Sequence, residues 1–273
     1  MKILSWNVHG LGNSRTIRRL RHTLKIHIPQ MVFFMKTKIN KVQMERVQRS
    51  CRFINGVDVD SDGSRGGLCL AWKDDVSITL QSFSKRHIDV FVDDQNNRQQ
   101  WRFTGFYGSL YAQGRDESWN LLRGLRSNEE LFWLVCGDFN EIMYDFEKKG
   151  GIPREERRME VFCNALEDCR LMDIGYSRKW FTWERGNLPE TNIRERLDRG
   201  VANENWMSMF SKVTIQYLVH STSDYCPLLI TINKDDKWSQ KNFKFEAWWV
   251  LEESFEAKVK FLWEKRAFNF KAV

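Results

Sequence analysis

The chain of 273 residues contains only four prolines, no polar low-complexity tract and no internal repeat, which leaves little room for a disordered linker or a repeat array. No apolar run reaches membrane-spanning length, and no basic-then-apolar leader opens the N-terminus. The expectation is an intracellular protein, nuclear or cytoplasmic, with no membrane partner. The six cysteines (Cys51, Cys69, Cys136, Cys163, Cys169 and Cys226) show no Cys-x-x-Cys spacing. Cys69, Cys136 and Cys226 lie in or beside apolar strands, so buried free thiols account for them better than zinc or disulfides do.

What is present is apolar bulk and positive charge. A hydrophobic fraction of 42%, with 12 Trp and 19 Phe, fills a sizeable core although mean hydropathy is −0.55. The net charge of +7 and pI near 9.1 favour a polyanionic partner, but solubility alone would also account for them.

Apolar periodicity gives the order of elements. Ile3 to Asn7 reads as a short strand, and Ser14 caps a helix with Ile17, Leu20 and Leu24 on one face and Arg15, Arg18, Arg19 and His22 on another. Pro29 stops that helix and Met31 to Met35 is a buried strand. GGLCLAW, VSITLQSF, HIDVFV and WRFTGFY alternate as strands between polar turns. Helices are expected over 116–126 and 154–171, and strands at LFWLVCGDFN, Trp180 to Trp183, Val213 to Val219 and Pro227 to Ile232. This pattern predicts an α+β domain over 1–233 with sheet on sheet and helices outside. The tail, 234–273, repeats Leu251, Phe255, Val259 and Leu262 at helical spacing, and its apolar face needs cover from its own domain or a further one.

Several strands release a polar residue at their ends: Asn7, Lys36, Tyr107, Asp138 with Asn140, and Asp224. For any single position a turn former is the commoner reading; the five together point to one cleft. The stretches SWNVHGLG, FYG, GDFN, RLDR and STSDYCPL resemble, in order, the motifs of the endonuclease/exonuclease/phosphatase (DNase I-like) family. RGGLCLAWKDDV, FTWERG and IRERLDRGVAN are similar to the N-terminal endonuclease domain of plant non-LTR (LINE-type) retrotransposons, from Met1 to about Thr231. The resemblance implies a four-layer α/β/β/α sandwich with two mostly antiparallel sheets. It also implies DNA as partner, Mg²⁺ or Mn²⁺ as cofactor with no small-molecule cofactor, and a tail leading toward a reverse transcriptase domain that this chain lacks.

The implied chemistry is metal-assisted phosphodiester hydrolysis, which needs a cation against the charge gained at phosphorus and a carboxylate to take the proton of water. Through the resemblance, Asp138 orients or deprotonates that water beside Asn140. Asn7 and Asp224 belong to the metal's surroundings, and Tyr107 donates to phosphate. Asp198, in RLDR, matches the carboxylate that holds a histidine. Two positions depart from the family pattern. Lys36 stands where the family has the metal-ligand glutamate, and Tyr225 where it has the catalytic histidine. An ammonium repels a hard cation and is expected to pair with Asp224 or Asp138 instead. A phenol stays neutral near pH 7 and cannot replace an imidazolium. His9, His22, His27, His87 and His220 offer no evident substitute, though His220 is near Tyr225 in sequence.

The expected outcome is an impaired nuclease whose metal binding is weak or absent. A non-catalytic DNA-binding domain and a retroelement relic without a role are the alternatives. The same resemblance makes Thr182, Trp183, Arg194, Arg196 and Arg199 a DNA-facing surface. For the basic first helix, by contrast, an ordinary solvated face is the simpler reading.

Overall fold

The run KILSWN forms strand β1 (Lys2–Asn7) in the computed structural model, which describes residues 1–63, 65–94, 99–126, 131–177, 180–186, 188–218, 224–233 and 260. The chain divides into two units, Met1–Lys234 and Asp235–Val273, and the sandwich belongs to the first. The amphipathic segment expected beyond residue 234, His220 and Ser223 lie outside the described residues.

After β1 comes helix α1 (Ser14–His27). Its cap is Asn13 rather than Ser14, since the Asn13 side chain accepts from the Arg15 N–H at 2.8 Å. Ile28 closes the helix in the left-handed region at φ 49°, just before Pro29. Strand β2 (Met31–Met35) leads to α2 (Lys41–Ser50), a helix with no counterpart in the sequence-based expectation, opened by a reciprocal Asn40–Gln43 capping box. Strands β3 (Asn55–Asp62), β4 (Arg65–Trp72), β5 (Ser77–Ser84), β6 (His87–Asp94) and β7 (Gln99–Tyr107) precede α3 (Arg115–Leu125) and β8 (Trp133–Asp138). Then follow β9 (Lys148–Lys149), α4 (Glu156–Asp168), β10 (Met172–Asp173), β11 (Trp183–Arg185), β12 (Ile193–Glu195), β13 (Asp198–Ala202), α5 (Glu204–Met209), β14 (Val213–Tyr217) and β15 (Leu228–Ile232).

The strand expected over Trp180 to Trp183 instead begins at Trp183, where pairing with Glu195 starts. Trp180 lies outside the ladder, with its indole donating to the Phe146 carbonyl at 3.0 Å.

One six-stranded sheet runs β14-β15-β1-β2-β4-β3 and the other β10-β13-β8-β7-β6-β5, with a small sheet β11-β12-β9 beside them. Each large sheet has one parallel pair, β1 with β2 and β7 with β8, crossed over by α1 and α3 respectively. The continuous apolar runs follow from strands buried on both faces. Ile3, Met31, Phe33 and Met35 face the second sheet, where they meet Phe103, Leu134 and Cys136. Leu4, Trp6, Val32 and Phe34 face outward under Leu20 and Leu24 of α1 and Met44 and Val47 of α2. On the other side, Trp119 and Leu122 of α3 and Phe162 and Leu166 of α4 cover Phe106, Val135 and Val201. The result is the helix, sheet, sheet, helix layering the motifs implied.

Cys69 and Cys136 are buried and Cys226 is partly so; these three thiols are free, as are Cys51, Cys163 and Cys169.

Candidate active site

Because β1, β2, β7 and β8 form two parallel pairs, their C-terminal ends gather at one edge of the sandwich and bring Asn7, Lys36, Tyr107 and Asp138 together. Two contacts tie the sheets there. The Asp138 N–H donates to the Met35 Sδ at 3.3 Å, and the Asn7 Nδ2 donates to the Asp138 Oδ2 at 2.8 Å. The other carboxylate oxygen, Oδ1, accepts from the Asn140 N–H at 2.9 Å. Asn140, at φ 55°, is anchored through its Nδ2 to the Gly108 carbonyl at 2.9 Å. Gly137 is required in GDFN because a Cβ there would collide with the Phe106 carbonyl of β7.

Across the second sheet, Tyr107, Asp138 and Asp198 are register partners on adjacent strands. Both carboxyls are fully enclosed, and burial raises the pKa of each. The Asp138 charge raises Asp198 further, while the amides of Asn7 and Asn140 and the nearby Lys36 favour ionised Asp138. Two like charges this close do not both form, so Asp138 is the carboxylate and Asp198 keeps its proton. Neither Asp198 oxygen has a hydrogen-bond partner among the described residues.

Lys36 follows β2 at φ 55° and is half-buried. Burial and then the charge of Lys38 lower its pKa, against the pull of Asp138 and Asp224. The expected ion pair with Asp138 or Asp224 is not formed among the described residues, and the attraction of both carboxylates acts at longer range. His9 completes this rim. Its N–H reaches the Asn7 Oδ1 at 3.3 Å, and burial, Lys36 and Lys38 lower its pKa. Thr37 and Lys38 are held by backbone bonds to Gly67 and Gly66.

Tyr225 enters from the segment before β15. Trp6 Nε1 donates to its carbonyl at 3.2 Å, and Trp183 faces it across an isolated antiparallel bridge. Its ring is buried with Ile142, Met159 and Leu197. Burial and then the charge of Asp138 raise its phenol pKa, and they do the same to Tyr107. Both phenols are therefore neutral donors. Asp224 is exposed beside them, its carbonyl accepting from the Glu184 N–H at 2.9 Å.

The proposed DNA-facing set is largely corrected. Arg196 is buried, with Nη1 on Glu147 at 2.7 Å, Nη2 on Asp173 at 2.8 Å and its guanidinium 4.4 Å from the Tyr176 ring centroid. Arg199 is fully enclosed and also binds Glu147, at 2.8 Å, and Asp173, at 3.1 Å. Neither guanidinium can reach a phosphate; both serve the interior. Thr182 is buried too, its Oγ1 accepting from the Leu197 and Asp198 N–H groups at 2.9 and 3.0 Å. Trp183 is partly buried against Tyr225. Arg194 alone of the three arginines is open to solvent, paired with Glu184 at 3.0 Å.

Lys38 and His9 are cleft residues that motif reading passed over. The usable signal was their place in the two loops that follow β1 and β2.

The donor set fits a hard divalent cation poorly. Asp198 is protonated, both Asp138 oxygens are already engaged, and the Lys36 ammonium bears on Asp138 and Asp224 alike. Among the described residues no three His, Cys, Asp or Glu side chains cluster as metal ligands.

A sequence model of the Endonuclease/Exonuclease/phosphatase family matches residues 4–224. No curated protein sequence matches the chain significantly. Solved structures share its fold. The AP endonuclease LMAP from Leishmania major aligns at TM-score 0.66 and 15% identity, covering 84% of this chain and 86% of that one. The endonuclease domain of TRAS1, a telomere-specific non-LTR retrotransposon, aligns at 0.62 and 10% identity, covering 86% and 99%. The 3' phosphatase NExo from Neisseria, bound to a product DNA hairpin, aligns at 0.63 and 14% identity, covering 86% and 100%.

Proposed function

The chain belongs to the endonuclease/exonuclease/phosphatase family, and from that premise we propose that it is a retrotransposon-type nuclease domain whose cleft receives a DNA phosphodiester but hydrolyses it poorly or not at all. The retrotransposon assignment is supported by the ordered motifs and by the fold shared with the TRAS1 domain; the plant LINE-type likeness rests on the motif stretches alone. DNA as ligand is supported by the basic charge and by the neighbour that holds a DNA hairpin.

The observation that carries the reading is Lys36, a half-buried ammonium with no ion pair among the described residues, acting on both Asp138 and Asp224. A cation there excludes the Lewis acid on which the family chemistry depends, and that acid is worth several kcal/mol at the transition state. The remaining groups bind and orient. Asn7 and Asn140 fix the Asp138 carboxylate, Tyr107 can donate an O–H to a phosphate oxygen, and Asp198 holds a proton with no histidine to share it among the described residues.

Plasmid nicking tests the reading. With Mg²⁺ or Mn²⁺ present, wild-type protein is expected to nick no faster than the Asp138→Ala variant. Metal-dependent nicking that disappears in that variant makes the chain a working nuclease and ends this reading.

A further inference from the structure

The outer helical layers differ in charge. α1 carries Arg15, Arg18, Arg19, Arg21 and Lys25 and no acidic residue, and α2 adds Lys41, Arg46 and Arg49 against Glu45. Both helices sit on the same face of the first sheet, because Leu20, Leu24, Met44 and Val47 share one apolar cluster. Burying those stripes turns Arg15, Arg18, Lys25, Arg46 and Arg49 outward, and all five are exposed. None of the five makes an ion pair among the described residues. The charge of Arg21 reaches the Cys51 thiol at the end of α2, so the two basic surfaces adjoin.

This arrangement is unfavourable for a helix on its own. Like charges three and four residues apart, such as Arg15 with Arg18 and Arg19, or Arg21 with Lys25, repel one another along the helix. Cations in the first turn also oppose the helix dipole, and no acidic residue stands there to offset them. On the opposite layer the charges are matched: Arg123 pairs with Asp168 at 2.7 Å and Arg158 with Glu141 at 3.1 Å. Exposed positive charge gathered on one face, with no ion pair on those five side chains among the described residues, is complementary to a polyanion.

The face is also continuous with the cleft. Leu11, in the loop joining β1 to α1, donates its N–H to the Thr37 carbonyl at 2.8 Å. That bond ties the start of α1 to the Lys36–Lys38 rim. We propose that the α1/α2 face is a second, sequence-blind contact surface for the phosphate backbone of duplex DNA, reaching outward from the cleft. The choice of duplex DNA rests on the reading of the cleft given above; the charge asymmetry does not.

The test measures affinity for a long duplex over a series of salt concentrations, with no divalent cation. It compares wild type with a face variant (Arg15→Gln, Arg18→Gln, Arg46→Gln and Arg49→Gln) and with a cleft variant, Tyr107→Phe. Glutamine keeps helix propensity and the four sites are exposed, so circular dichroism should be unchanged and melting should not fall. The face variant is expected to bind at least about tenfold more weakly at low salt, with the slope of log affinity against log salt reduced by about 0.9 for each phosphate it no longer neutralises. Wild-type affinity and slope in the face variant overturn the inference, and the cleft reading is then judged separately from Tyr107→Phe. Failure of wild type to bind duplex at low salt also overturns it, as does face-dependent binding to anionic vesicles or heparin in place of duplex.

Discussion

The two sides of the cleft have fared differently. On the side built by β1, β7 and β8, hydrogen bonds run from Asn7 to Asp138, from Asn140 to Asp138 and from Asn140 to Gly108. On the side built by the end of β2 and the segment before β15 are Lys36 and Tyr225, which we propose occupy the places of the family's glutamate and histidine. Yet Tyr225 packs among Ile142, Met159, Leu197 and Trp183 as a core residue, and the Thr37–Lys38 backbone is bonded to Gly67 and Gly66. The difference teaches that the scaffold and the chemistry have separate supports. Changing the charge pattern at a strand end leaves the sheets, the turns and the Asp138 cradle in place.

If the scaffold is held from below the cleft, its largest sensitivity lies there. Arg199 is enclosed between Glu147 and Asp173 on the strand that carries Asp198. Arg199→Ala leaves Glu147 and Asp173 with Arg196 as their remaining guanidinium partner and opens a hole under the sheet, and is expected to cost up to about 3–5 kcal/mol in chemical denaturation. A loss under about 1 kcal/mol would show that the network does not support the second sheet.

Next in size is the restoration of the altered side. Lys36→Glu with Tyr225→His is expected to raise Mg²⁺-dependent nicking by about 10²–10³ over wild type, and adding Asp138→Ala should abolish the gain. No gain in a folded double variant would mean that the cradle side has lost function as well.

The carboxyl pair gives a smaller, pH-dependent contrast. Asp198 keeps its proton in the folded protein but loses it in the unfolded chain above about pH 4. Folding therefore binds a proton there, and stability from this site falls as pH rises. Asp198→Asn cannot ionise, so it should gain on wild type with increasing pH, by at most about 1.4 kcal/mol per unit, and the two should converge below about pH 4. Melting curves across pH check this; an advantage that grows toward acid contradicts the protonated Asp198. Smallest of all, Arg194→Ala removes a solvent-exposed pair with Glu184 and should shift stability by less than about 1 kcal/mol. A larger loss would place Arg194 with its buried neighbours.

The sandwich was legible because strands buried on two faces read as continuous apolar runs and because polar residues ended them in a recognisable order. Asn7, Tyr107 and Asp138 were legible for the same reason. α2 was not, because Met44 and Val47 are its only buried apolar residues and the third buried position is Gln48. Arg196 and Arg199 read as surface because their partners, Glu147 and Asp173, are distant in sequence and only the fold brings them near. Thr182 reads as part of a DNA-facing FTWERG stretch, whereas its hydroxyl is consumed by the backbone of Leu197 and Asp198. No local pattern announced the left-handed backbone of Lys36 at the end of β2.

The most direct measurement titrates Mn²⁺ into the purified chain by calorimetry or electron paramagnetic resonance. The account predicts no saturable site in wild type and a saturable site after Lys36→Glu. A stoichiometric site in wild type that is lost in Asp138→Ala contradicts it.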